Sequence, residues 1–353
     1  MRNLRDEIVR NYVERLDPNT LCLTEPVKVS TVSQLNLGEA NLNFLVEANG
    51  KKFVFRINMD PSSEGRSRKE FSILKLLAGY QVSPRAFYLD ETKKAINETL
   101  LIIEYVDGET LAEEGTRYVS PNKVQGLAEL IATIHSLDLG ESMRSLQRRG
   151  VDYEDWVSVN ERNINYVRKR NPEVLKKGSL AEALHDGLSR IRSIMRATSC
   201  SVITTPAHGD VCAQNIIVER GTGNLRLIDW ENFGLWDPAA EIALIFEGFG
   251  MDFPPDQQQE FLDRYLGIRS DPELLTRLDT YRPLVRLEQL TWGIKHVIEI
   301  RAGDMDEAFI ERTNMRRHIE FVGDCLQRCM ETRLIDIDPK RIEEFMMSLS
   351  TSE

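Results

Sequence analysis

Residues 205–232 hold a pattern that few folds can accommodate. His208-Gly209-Asp210 is followed five residues later by Asn215 and then by the apolar run Ile216-Ile217-Val218, a short buried strand in character. Gly221-Thr222-Gly223-Asn224 supplies residues that take φ > 0 cheaply, which predicts a hairpin turn. Leu225-Arg226-Leu227-Ile228 is then the return strand. Such a ribbon carries Asp229 back beside Asn215, so two oxygen ligands converge where a hard cation can bind.

Each of these residues has an ordinary explanation when taken alone, because Asp is a common turn former. Together they match what phosphoryl transfer from a nucleotide requires. One carboxylate orients an attacking hydroxyl, while an amide oxygen and a second carboxylate hold Mg²⁺ against the phosphates. The Asp-to-Asn spacing is that of protein-kinase catalytic loops. Asp210 is therefore the candidate catalytic residue, and Asn215 and Asp229 are the candidate metal ligands. By resemblance to kinase-like catalytic loops, His208 would brace the loop backbone. The five histidines form no HxxxH or HExxH pair, which disfavours a zinc enzyme, and His135 reads as a packed helix residue.

On these motifs the chain resembles the aminoglycoside phosphotransferase and choline kinase superfamily, small-molecule kinases of the protein-kinase-like fold. The resemblance spans nearly the whole length and is most specific from Ala207 to Glu247. It implies an α+β, two-lobed architecture. Residues 1–106 would form a small antiparallel-sheet N-lobe with an N-terminal helix, and residues 107–353 a larger, mainly helical C-lobe. Ile228-Asp229-Trp230-Glu231 stands where protein kinases have Asp-Phe-Gly. In Asp237-Pro238-Ala239-Ala240-Glu241-Ile242-Ala243, Glu241 takes the place of the family's usual Asp.

The N-terminal third fits that frame. From Val27 to Ile57 apolar residues alternate as in strands, and Asn49-Gly50 is a strong hairpin signal. Asn36-Leu37-Gly38-Glu39-Ala40-Asn41 lies between two strands, where Gly38 and Asn41 would approach a nucleotide phosphate; an ordinary turn fits equally. Arg56 falls where protein kinases carry their nucleotide-binding Lys, and a guanidinium can grip phosphate oxygens in the same place. Glu70, opening the helical run with Leu74 and Leu77, is its expected partner. Leu100-Leu101-Ile102-Ile103-Glu104-Tyr105-Val106 resembles the hinge strand, whose backbone from Glu104 to Val106 would bind a purine edge. Backbone recognition leaves no side-chain signature, so ATP is expected and GTP stays open.

Leu4, Ile8, Tyr12 and Leu16 mark an N-terminal amphipathic helix ending at Asp17-Pro18. Beyond Gly108 the pattern turns helical, with Gly303 ending one helix and Asp304 capping the next. A net charge of −11 argues against nucleic acid as the main partner. No apolar run approaches the roughly 18 residues of a membrane span, so no membrane partner is expected. With five cysteines and no CxxC, a reduced, cytoplasmic protein is expected. Oligomeric state leaves no mark.

The expected reaction is Mg²⁺-dependent transfer of the ATP γ-phosphoryl group to a hydroxyl of a small molecule. Leu290-Thr291-Trp292-Gly293 resembles the Trp-bearing helix of choline kinases, where aromatic rings hold a quaternary ammonium. Trp292 and the acids Glu231 and Glu241 are thus the candidate acceptor residues, and an amino-alcohol or amino-sugar is the expected acceptor. A sugar, a homoserine-like acceptor, or a non-catalytic nucleotide-binding scaffold remain alternatives.

Overall fold

The computed structural model describes residues 2–35, 41–58, 65–94, 96–113, 119–148, 153–172, 180–198, 201–248, 251–304 and 314–350. By contacts the chain divides into two compact units: Met1–Gly115 with Gln214–Asn232, and Thr116–Ala213 with Phe233–Glu353. The fold is α+β, with an antiparallel sheet in the first unit and mainly helices in the second, as expected from the sequence.

In the first unit, β1 (Val29–Leu35), β2 (Asn41–Ala48), β3 (Lys51–Asn58), β4 (Ala86–Asp90) and β5 (Leu100–Glu104) form one sheet in the order β1-β2-β3-β5-β4. Asn49 and Gly50 close the β2–β3 hairpin at φ 49° and 74°, the positive pair that a tight two-residue turn demands. Phe44, Val46, Phe53, Phe55 and Ile57 enter one core with Val9, Val13 and Leu21, and Tyr12 meets Phe55 edge-on. Burying each such large side chain contributes about 1.5–3 kcal/mol. Because strand side chains alternate, Arg56 leaves the opposite face of β3 from Phe55 and meets α2 (Arg66–Leu77), which buries Ile73, Leu74 and Leu77.

In the N-terminal helix α1 (Arg2–Val13), Tyr12 packs on the core as read from the sequence, but Ile8 is exposed, while Val9 and Val13 are fully buried. The helix also stops short of Asp17, which instead caps a 3₁₀ turn over Pro18–Leu21 by accepting from the Asn19 amide.

A three-stranded sheet completes this unit: β6 (Gly108–Thr110) pairs with Ile216–Glu219, which pairs with Leu225–Leu227. A Cβ on Gly108 would lie 2.2 Å from the Val218 carbonyl oxygen, so only glycine allows β6 this close. The ribbon is further tied to the unit by the Leu227 amide, which donates to the Val82 carbonyl at 3.0 Å.

In the second unit the helix Leu274–Arg301 is the common support, packed by Tyr153–Arg170, Pro238–Glu247, Met315–Glu331 and Leu180–Ala197. It continues past Pro283, with Leu278, Tyr281, Leu284, Val285 and Leu287 all buried. Gly303 at φ 68° follows its end, as read from the sequence, whereas Asp304 accepts from Tyr166 and Arg170. The helix start assigned to Asp304 lies outside the described residues. Thr205–Ala207 pairs with Gly234–Trp236, so the strand that leads into the His208-Gly209-Asp210 turn is hydrogen-bonded. Among the described residues no helix is long and apolar enough to cross a membrane.

Candidate active site

In the first unit the candidate residues gather around Arg56. β2 and β3 place Asn43 directly opposite Arg56, and the Arg56 Nε donates to Asn43 Oδ1 at 3.1 Å. Its Nη1 donates to both carboxylate oxygens of Glu70, at 3.0 and 2.8 Å, and lies 3.8 Å from Asp229 Oδ1. Arg56 and Glu70 are only 7 % and 4 % exposed. A buried guanidinium is tolerated only with such partners. Burial works against the Arg56 charge, but the Glu70 and Asp229 carboxylates outweigh it and hold the group protonated.

Asp229 stands at φ 65°, a left-handed conformation that costs a residue with a side chain about 1–2 kcal/mol. Such strain persists where the surroundings over-determine it, commonly at functional sites. The Ile228 amide donates to the Asn215 carbonyl at 2.9 Å, so the ribbon sets Asn215 and Asp229 side by side along the chain, as the hairpin signal predicted. Behind Asp229, the fully buried Trp230 donates from Nε1 to the Leu227 carbonyl at 2.7 Å and closes the turn. The Asp229 Oδ1 is buried with no hydrogen-bond donor. A buried carboxylate oxygen in that state is costly, and a hard cation relieves the cost. Asp229 and Asn215 thus fit a magnesium ion by donor chemistry.

Glu231 is tied to α2. Its carbonyl accepts from Lys69 Nζ at 2.7 Å and its carboxylate faces Arg66 at 3.6 Å. Burial, then the charge on Asp229, pushes its pKa up. Glu104, at the end of β5, has its carboxylate engaged by the Arg85 amide at 2.9 Å and Arg226 Nη2 at 3.0 Å. Val106 is buried, and Asn41 heads β2 opposite Asn58. Gly38 lies outside the described residues.

In the second unit Gly209 takes φ 80°, a value that its lack of a Cβ permits, and donates its amide to Glu241 Oε1 at 2.6 Å. The Asp210 amide donates to Nδ1 of the fully buried His208 at 3.2 Å, and the Asp210 side chain is half-buried. Glu241 Oε2 meets His135 Nε2 at 2.7 Å, and His135 Nδ1 meets the Tyr265 hydroxyl at 2.8 Å. All three are buried. Burial raises the Glu241 pKa, but the His135 contact and the Gly209 amide overcome it and leave the carboxyl below its ordinary value. Trp292 is 39 % exposed; it stacks on His296 at 4.8 Å and meets Phe321 edge-on.

Three partners escaped the sequence reading. Asn43 showed itself only as a polar residue in an apolar strand. Lys69 stood unremarked beside Glu70. His135 was read as packing, and it does pack, while also holding Glu241.

The phosphotransferase enzyme family model matches residues 31–280. The chain belongs to this family. No curated protein matches this phosphotransferase by sequence. Its fold is shared with spectinomycin phosphotransferase APH(9)-Ia in complex with ADP and spectinomycin, at TM-score 0.61 and 14 % identity, covering 92 % of this chain and 94 % of that one. Ethanolamine kinase from Plasmodium vivax aligns at TM-score 0.61 and 17 % identity over 90 % and 92 %. ADP-bound aminoglycoside phosphotransferase APH(2'')-Ib aligns at 0.57 and 18 % over 91 % and 96 %.

The depressed Glu241 carboxyl ties stability to pH in this phosphotransferase. A carboxyl whose folded pKa is lowered contributes stability that is complete above its unfolded pKa of about 4.3 and lost as pH falls through the folded value. Glu241→Gln should therefore be less stable than wild type at pH 7, and the gap should narrow below about pH 4, measured by urea denaturation at both pH values.

Proposed function

We propose that this phosphotransferase moves the γ-phosphoryl group of ATP to a hydroxyl of a small amine-bearing molecule, an amino-alcohol or amino-sugar. The observation that carries the reading is Asp229: a strained residue with one buried carboxylate oxygen lacking any donor, beside an ion-paired arginine. Membership of the phosphotransferase family supports it, as does the shared fold with aminoglycoside phosphotransferases and an ethanolamine kinase.

In this reading Asp210 orients the acceptor hydroxyl and takes its proton at a carboxylate oxygen as the oxygen bonds to phosphorus. Gly209 and Glu241 keep the loop in the shape that presents Asp210; Glu241 is assigned to the loop rather than to the acceptor because both its oxygens are spent internally. Arg56 lays its guanidinium on the nucleotide phosphates, and Glu70 and Asn43 hold it in place. Main-chain groups from Glu104 to Val106 take the purine edge, and Gly38 and Asn41 cover the phosphates. Asn215 and Asp229 would hold Mg²⁺, which when bound neutralises charge on the phosphates and on the departing diphosphate. Trp292 is the acceptor-side candidate, through an aromatic face that attracts a cation. Catalysis is then mostly positioning and fixed electrostatics.

The test is ATP consumption with Mg²⁺ across choline, ethanolamine, aminoglycosides, methylthioribose, homoserine and hexoses. Turnover on choline, ethanolamine or an aminoglycoside supports the proposal, and turnover only on methylthioribose, homoserine or a hexose replaces its acceptor. Thermal stabilisation by nucleotide with no turnover on any of them points instead to a nucleotide-binding scaffold. Asp210→Ala should lower kcat by at least ~10³ with nucleotide affinity nearly unchanged, read by steady-state kinetics and calorimetry. Asp229→Ala should lose the Mg²⁺-dependent part of nucleotide binding; titrations with and without Mg²⁺ decide it.

A further inference from the structure

Helix α2 grips the turn after Asp229 through groups that the reaction above leaves unused. Arg66, Lys69 and Glu70 occupy positions i, i+3 and i+4, one face of the helix. Glu70 takes Arg56, as described. Its neighbour Lys69 reaches 162 residues along the chain to the Glu231 carbonyl, at 2.7 Å. Arg66 faces the Glu231 carboxylate at 3.6 Å. One helical face therefore secures both the arginine beside Asp229 and the main chain two residues past it.

Two physical demands meet at this turn. Asp229 holds a left-handed backbone that neighbours must enforce. Trp230 secures one side through its bond to the Leu227 carbonyl, and Lys69 secures the other. The second demand is charge. Glu70, Asp229 and Glu231 lie close enough for their charges to act on one another. Arg56 faces both Glu70 and Asp229, and Arg66 faces the Glu231 carboxylate.

Resting on the metal assignment made above, we propose that Lys69 is a positioning residue for the magnesium–nucleotide complex. By fixing the Glu231 carbonyl it holds the Asp229 turn in its strained form. That role involves no contact with substrate.

The experiment is calorimetric titration with AMP-PNP or GMP-PNP, whichever the wild type binds, in excess Mg²⁺ and again in EDTA. Lys69→Met keeps the aliphatic stem and removes the donor; melting curves establish that it folds, and Lys69→Gln replaces it if it does not. Affinity for the Mg²⁺ complex should fall roughly tenfold, the scale of one charge-assisted hydrogen bond, and affinity in EDTA by less than about twofold. Lys69→Arg should recover most of the loss. Equal losses in both conditions, or none in either, overturn the proposal. Asp229→Ala in the same titrations separates the two levels. If it keeps full Mg²⁺ dependence, or the wild type binds neither nucleotide, the metal assignment falls and Lys69 with it. If Asp229→Ala loses the dependence and Lys69→Met keeps it, only the role of Lys69 falls.

Discussion

A guanidinium taken almost wholly out of water is the constraint around which the first unit is arranged. Removing one partner from such a pair costs about 3–5 kcal/mol, because the other charge is stranded. Arg56 therefore dictates what must surround it: Asn43 across the strand pair, Glu70 from α2, and Asp229 at the end of the ribbon. Three separate stretches of sequence are fixed to one another by a single side chain. The sheet could pack its phenylalanines without Arg56, but strand, helix and ribbon would then lose the side chain all three share.

The polar centre of the second unit works by different means. Gly209, Glu241, His135 and Tyr265 form a chain of hydrogen bonds between buried partners, ending on the main chain next to Asp210. In a low-dielectric interior such links are strong when complete and costly when broken, so they define a loop conformation tightly. The first unit stores strain at Asp229 and balances charge around it, whereas the second keeps its loop relaxed by satisfying every described polar atom of Glu241.

Much of this was legible in the sequence because the signals were local. Asn49-Gly50 announced its hairpin, and the Gly221-to-Asn224 turn, with its apolar arms, announced the ribbon that carries Asp229. The alternation around Phe53 and Phe55 announced which side of β3 Arg56 would take. What failed was phase and reach. Ile8 and Val9 are equally apolar, and only the shape of the sheet decides which of them is buried. Lys69 and His135 were opaque for another reason: each acts on a residue more than 100 positions away, through one atom, at a place no periodicity marks.

The pairing of β6 with Ile216–Glu219 has a consequence for how the protein comes to be made. Gly108–Thr110 leaves the ribosome more than 100 residues ahead of the strand it needs, and the whole helical stretch up to Ala213 is synthesised in between. At about 5–20 residues per second, that is a wait of roughly 5–20 s in which β6 lacks its partner strand. During that interval the edge of β6 offers unpaired main-chain groups to any passing strand. Truncations or slow codons falling between positions 115 and 214 would thus harm the N-terminal unit, although they leave its own first 115 residues untouched.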